Sequence, residues 1–156
     1  MSSNHSFNGY KAGSVKANKL IGYIPERASF PKHLNTINYL KAMGELSGLK
    51  PKVAFKRAND ILEALKMEKQ AKRKPIHFSS GMQKKILLAQ ALLTDPKILI
   101  LDEPASNLDP TTRKELFDQL IFLRDQGKTI LISSHILSEL ERIIDEATFV
   151  YYGEVV

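Results

Sequence analysis

Ile98-Leu99-Ile100-Leu101 is an unbroken apolar run held between Asp95-Pro96 and Pro104. It is too short for a helix and does not alternate, so it predicts a strand buried on both faces, as in parallel sheets. Thr129-Ile130-Leu131-Ile132-Ser133 reads as a second buried strand, and Leu20-Ile21-Gly22-Tyr23-Ile24, stopped by Pro25, as a third. Between these runs the apolar positions recur at helical spacing. Residues 36 to 47 place Ile37, Leu40 and Leu46 on one side, and residues 51 to 67 do the same with Ile61, Leu62 and Leu65, with Gly48 and Pro51 marking the break. A helix from Ser79 to Leu93 ends before Asp95-Pro96. Another opens at Pro110, carries Leu116, Leu120 and Leu123, and is closed by Gly127. Residues 136 to 144 predict a short helix, and Phe149 to Val156 a strand, a turn at Gly153 and a strand.

Strands alternating with helices imply an α/β fold with a mostly parallel sheet, into which a helical subdomain of about residues 30 to 95 is inserted. Residues 1 to 18 are polar and rich in Ser, Asn, Gly and Lys, and read as a flexible lead-in to a folded part over residues 19 to 156.

Composition narrows this picture. The chain has 156 residues, 43% hydrophobic and 26% charged, which suits one globular domain of ordinary size. No run approaches the ~18 apolar residues of a membrane-spanning helix, and the first residues lack an apolar signal region, so a cytoplasmic location is expected. The absence of cysteine excludes disulfides and thiolate metal sites. A net charge of +6 suits anionic partners. The basic residues gather at Lys50, Lys52, Lys56 and Arg57, then at Lys66, Lys69, Lys72, Arg73 and Lys74. No aromatic rings interleave with them, so they read as a solvated helix face and no nucleic-acid partner is expected.

Candidate chemistry begins where the first apolar run ends, at Asp102-Glu103. Ligands of open α/β sheets sit at the carboxyl ends of the strands. A carboxylate there can hold Mg2+, and its neighbour can take a proton from an attacking water; a strand end with two solvated acids is the plain alternative. The stretch Phe78-Ser79-Ser80-Gly81-Met82-Gln83 places two hydroxyls and a glycine at the start of an apolar helix. Unpaired N–H groups at such a start suit an anion, although Ser79 is equally an ordinary N-cap.

The order of pieces is more specific than any one of them. Phe78 to Gln83, then Ile98 to Glu103, then Ser106-Asn107-Leu108-Asp109, then Ser133-Ser134-His135, preceded by Ile21-Gly22-Tyr23-Ile24-Pro25-Glu26, together resemble an ABC-type ATPase cassette over residues 20 to 156. They correspond in turn to its signature, Walker B, D-loop, switch histidine and Q-loop. The resemblance implies a RecA-like P-loop NTPase fold that uses ATP and Mg2+. Asp102 would hold the metal, Glu103 would polarise the hydrolytic water, and His135 would contact the γ-phosphate. Ser79, Ser80, Gly81, Met82, Glu26 and Asp109 would serve nucleotide binding. It further implies two partners, a membrane permease subunit and a second ATP-binding cassette, and a peripheral place on the inner face of the cell membrane.

Glu26 stands where the Q-loop usually has Gln, and Phe78, Ser80 and Met82 replace the usual Leu, Gly and Gln of the signature. These departures resemble the export-type branch. The largest departure is the P-loop, Gly, four residues, then Gly-Lys-Ser/Thr, which no segment of the chain contains. Gly127-Lys128-Thr129 has Phe122 in place of the first Gly and is followed by a strand instead of a helix. The chain thus reads as a cassette that begins after its P-loop, inactive alone and with an open sheet edge beside residues 129 to 133. Two other classes remain: a nucleotide-independent regulatory or relic fragment, and a soluble ABC ATPase of DNA maintenance. The latter normally splits its cassette around a long coiled coil, whereas about 52 residues without heptads separate Glu26 from Phe78 here.

Overall fold

The computed structural model describes residues 6–7, 9–11, 13–141, 143–152 and 154–155. In chain order the elements are β1 (Ser6–Phe7), β2 (Tyr10–Lys11), α1 (Val15–Asn18), β3 (Ile21–Ile24), α2 (Thr36–Leu46), α3 (Pro51–Ala64) and α4 (Ser80–Leu92). These are followed by β4 (Ile98–Asp102), α5 (Pro110–Asp125), β5 (Thr129–Ser133), α6 (Leu137–Leu140), β6 (Val150–Tyr151) and β7 (Glu154–Val155). Two 3-10 turns, Glu68–Gln70 and Pro75–His77, join α3 to α4.

The three apolar runs form one parallel sheet in the order β3-β4-β5. Ile24 pairs with Leu101, and Asp102 with Ser133, so the three strands end together. Helices α2, α3 and α4 all fall between β3 and β4, as the insertion reading expected. Gly22 lets α4 approach the sheet: a Cβ there would lie 2.8 Å from the Ala91 carbonyl oxygen, 2.8 Å from Leu99 Cδ2 and 3.0 Å from Pro96 Cγ. Leu40, Leu62, Ile86, Leu88, Leu99, Leu101 and Leu120 are fully buried and join insertion and sheet in one core.

Burial on both faces of the sheet is not what forms. Leu99 and Leu101 are buried, but Ile98 and Ile100 are only half-buried, and β5 alternates between half-buried and exposed positions. Tyr23, Ile100 and Leu131 share one row across the sheet, and Tyr23 is 54% and Leu131 62% exposed. An unbroken apolar run states that both faces suit an apolar cover. It does not place one there, and among the described residues α4 packs on the opposite face, that of Gly22. β5 also lies at an edge, with β4 as its neighbour among the described residues.

Helix ends explain most boundary differences. After α2, Gly48 is left-handed at φ +91°, and Leu49 N–H bonds the Gly44 carbonyl at 3.0 Å. After α5, Gly127 does the same at φ +88°, with Lys128 N–H on the Leu123 carbonyl at 3.2 Å. These are Schellman closures. The same closure ends α3 earlier than predicted, with Lys66 at φ +56° and Met67 N–H on the Leu62 carbonyl at 2.7 Å. The predicted helix 136 to 144 is regular only over α6; Leu140 and Ile143 are buried by a turn, with Ile143 N–H on the Leu140 carbonyl at 2.8 Å. The stretch read as a flexible lead-in carries β1, β2 and α1, and the burial of Ala17 draws its end into the fold. The Gly153 turn lies outside the described residues.

Candidate active site

The common ending of the strands brings Asp102, Glu103, Ser133 and His135 to one place. Ser133 Oγ donates to Asp102 Oδ1 at 2.7 Å and accepts from Glu103 N–H at 3.2 Å, and that N–H also reaches the Ser133 carbonyl at 3.2 Å. Glu103 turns away from the sheet in the left-handed region, φ +44°, which is costly for a residue with a Cβ and recurs where a site dictates side-chain direction. Its Oε1 lies 2.9 Å from His135 Nδ1. The histidine side chain is 73% exposed and that of Glu103 25%, so the pair sits at an open mouth. An acceptor carboxylate held by an imidazole at a strand end can orient a water and take its proton.

The helix starting at Ser80 forms a second cluster. Ser79 Oγ caps it by accepting from Met82 N–H at 3.3 Å, which bears out the N-cap reading, while Ser80 Oγ donates to the Asn107 carbonyl at 3.2 Å. Gly81 lies against α5, where a Cβ would fall 2.2 Å from Thr112 Cγ2. Asp109 caps α5 through Thr111 N–H at 3.1 Å and Thr112 N–H at 3.0 Å, and accepts from Thr112 Oγ1 at 2.6 Å. These bonds hold its carboxyl below the usual carboxylate range, the Thr112 hydroxyl contributing most. Segment 103 to 109 connects the clusters, with Ser106 N–H on the Glu103 carbonyl at 3.1 Å. The Asp109 side chain is engaged in capping and Gly81 in packing, so both are also structural parts.

Lys84 was missed by the sequence reading. It is 6% exposed, and its Nζ donates to the carbonyls of Pro25 at 3.0 Å and Glu26 at 2.6 Å, just beyond the end of β3. Burial pushes its pKa down, against the opposing charges of Glu26, Asp102 and Glu103. Glu26 itself is exposed. The available signal was a lysine on the face that Gly81 and Leu88 bury, at helical spacing from both. Lys128, in the Gly-Lys-Thr segment, points instead to the opposite end of the sheet, bonding Asp95 Oδ1 at 2.7 Å and the Pro96 carbonyl at 2.8 Å.

The sheet thus gathers two acids, a serine and a histidine at its carboxyl end, where open α/β sheets hold their ligands. A sequence model described as ABC transporter matches residues 4–106, starting inside the presumed lead-in and running past Glu103. The chain belongs to the ABC transporter family. It is 44% identical over 151 residues to an ABC transporter ATP-binding protein of Mycoplasma pneumoniae, across 96% of this chain and 46% of the relative. A Nod factor export ATP-binding protein I of Rhizobium is 31% identical over 91% of this chain and 47% of its own. A solved structure described as the ATP binding subunit of an ABC transporter superposes with a TM-score of 0.80 at 30% identity, covering 96% of this chain and 63% of the other. The chain spans about half the length of the curated relatives it matches.

Proposed function

We propose that the chain supplies the carboxylate, switch and signature parts of an ATP-hydrolysing subunit that drives an ABC transporter of the export type. The observation that carries this reading is the constellation at the strand ends, Asp102 bonded to Ser133 at 2.7 Å beside Glu103 paired with His135 at 2.9 Å. In it Glu103 accepts the proton of the hydrolytic water, and His135 orients Glu103 and reaches the γ-phosphate. A positioned general base of this kind is worth ~10² to 10⁴ in rate.

Asp102 is the residue that would hold Mg2+. Its Oδ1 is taken by Ser133, and among the described residues no group of three or more metal-binding side chains exists. That donor set fits Mg2+, which keeps its waters and takes one or two carboxylates together with substrate phosphates. Bound there, the ion would supply charge neutralisation at the substrate phosphates. Glu26 faces the same end of the sheet from the turn after β3.

Ser79, Ser80, Gly81 and Met82, at the start of α4, act with Asp109 on a nucleotide held by a second cassette. Phosphate grip is the part that these 156 residues do not encode, since the chain has no Gly-x4-Gly-Lys-Ser/Thr segment. The chain by itself therefore binds ATP weakly and does not turn it over. Its working partners are a second cassette that carries a P-loop and a permease in the membrane. No helix among the described residues is long and apolar enough to cross a membrane. In this reading a permease chain supplies the span, and this chain lies on its inner, cytoplasmic face. The basic residues around the two ends of α3 lie toward anionic lipid.

Mixing the chain with an intact cassette tests this. The expected result is a raised ATPase rate that Ser79→Ala with Ser80→Ala abolishes; an unchanged rate, together with failure to co-purify with a permease from detergent, contradicts the proposal.

A further inference from the structure

Lys84 occupies a position that a methionine or leucine would fill without cost, since burying an amine requires hydrogen-bond partners to replace water. Both of its partners belong to one turn. β3 ends at Ile24, so the Pro25 and Glu26 carbonyls lie beyond the sheet ladder, and Lys84 Nζ meets them at 3.0 and 2.6 Å. The lysine stands one helical turn after Ser80, whose hydroxyl bonds the Asn107 carbonyl at 3.2 Å. One helix thus grips the turn carrying Glu26 by its second turn and the segment before Asp109 by its first.

We propose that Lys84 is a positioning residue that straps the Pro25–Glu26 turn to α4, so that Glu26 and the Ser79–Met82 helix start move as one body. Glu26, Asp102 and Glu103 all act electrostatically on Lys84, which places the strap at the edge of the proposed site and not in a remote part of the core. A long, flexible side chain bridging two elements transmits displacement between them only while both hydrogen bonds hold. The inference takes the roles of Glu26 and Ser79–Met82 from the function proposed above, but its test uses no nucleotide, so the two fail separately.

The chain has no cysteine, so single cysteines accept a nitroxide label uniquely. Arg27→Cys reports on the turn, and Lys52→Cys, on the exposed face of α3, serves as the control. In Lys84→Met, the mobility of the label at position 27 is expected to rise about twofold or more on the nanosecond scale, while the label at 52 is unchanged. Lys84→Arg, which keeps two donors, restores the slow label. The proposal is overturned when folded Lys84→Met leaves the label at 27 unchanged, when labels at 27 and 52 loosen together, or when Lys84→Arg behaves as Lys84→Met. Where Lys84→Met does not fold, Lys84→Gln takes its place. Its shorter amide cannot reach both carbonyls as lysine does, so intermediate mobility at 27 supports the strap and wild-type mobility overturns it.

Discussion

Gly81→Ala probes the contact between the start of α4 and α5. The added Cβ would sit 2.2 Å from Thr112 Cγ2, 3.4 Å from its Cβ and 3.5 Å from its Oγ1. Apolar carbons pack at about 3.5 to 4.0 Å, so the overlap exceeds an ångström. Thr112 cannot simply rotate its methyl away, because its Oγ1 donates to Asp109 Oδ2 at 2.6 Å and its backbone N–H to Asp109 Oδ1 at 3.0 Å. Overpacking of this kind costs about 1 to 3 kcal/mol. Alanine in a helix returns up to about 1 kcal/mol relative to glycine. A net loss of about 1 to 2 kcal/mol is expected, which lowers Tm by about 2 to 4 °C per kcal/mol in a chain of this size. Thr112→Ser removes the obstructing methyl and keeps the hydroxyl. In that background Gly81→Ala should be neutral or stabilising, giving a coupling of about 1.5 kcal/mol or more by urea unfolding at constant m-value. Equal effects of Gly81→Ala in both backgrounds would refute the steric reasoning.

Gly22→Ala is expected to destabilise by about 1 to 3 kcal/mol, because the Ala91 carbonyl, Leu99 and Pro96 all crowd its Cβ and two of them belong to rigid backbone or ring; an unchanged melting temperature contradicts this. Leu101→Ala, at 1% exposure in the central strand, should cost about 2 to 5 kcal/mol in chemical unfolding, and a cost below that range would mean that the strand is not packed as described. Lys128 holds the Asp95 carboxyl below the usual carboxylate range by a hydrogen bond. A depressed folded-state pKa gives stability that is present above the unfolded value, near pH ~4, and is lost as pH falls through the folded value. The stability difference between wild type and Asp95→Asn should therefore be constant from about pH 5 to 7 and shrink below about pH 4, and a pH-independent difference would contradict the ion pair.

How much of this was legible beforehand depended on whether a residue type carried its own reason. Gly48 and Gly127 announced helix ends because glycine takes the left-handed conformation freely, whereas Lys66 makes the same closure without any compositional sign. Ile98 to Leu101 announced a parallel strand, and its register with β3 and β5 brought Asp102, Ser133 and the residues after them together as the motif order implied. The open face at Tyr23 and Leu131 was not legible, since an apolar residue is the same letter whether covered or exposed. Neither was Lys84. Its helical spacing from Gly81 and Leu88 marks a buried face, but its neighbours Lys85 and Gln83 are polar too, and the partners that allow an amine there come from the three-dimensional path of the Pro25–Glu26 turn. Asp109 caps α5 as an acid before a proline at the first helical position does, so this part of its place follows from residue type and order alone.

The central proposal is that Asp102, Glu103 and His135 are the carboxylates and switch histidine of an ATPase site whose phosphate grip these 156 residues do not contain. Calorimetric titration of Mg2+ and ATP into the chain alone tests it most directly. No stoichiometric heat at micromolar nucleotide is expected, and Glu103→Gln should leave the trace unchanged. Stoichiometric micromolar binding would contradict the account.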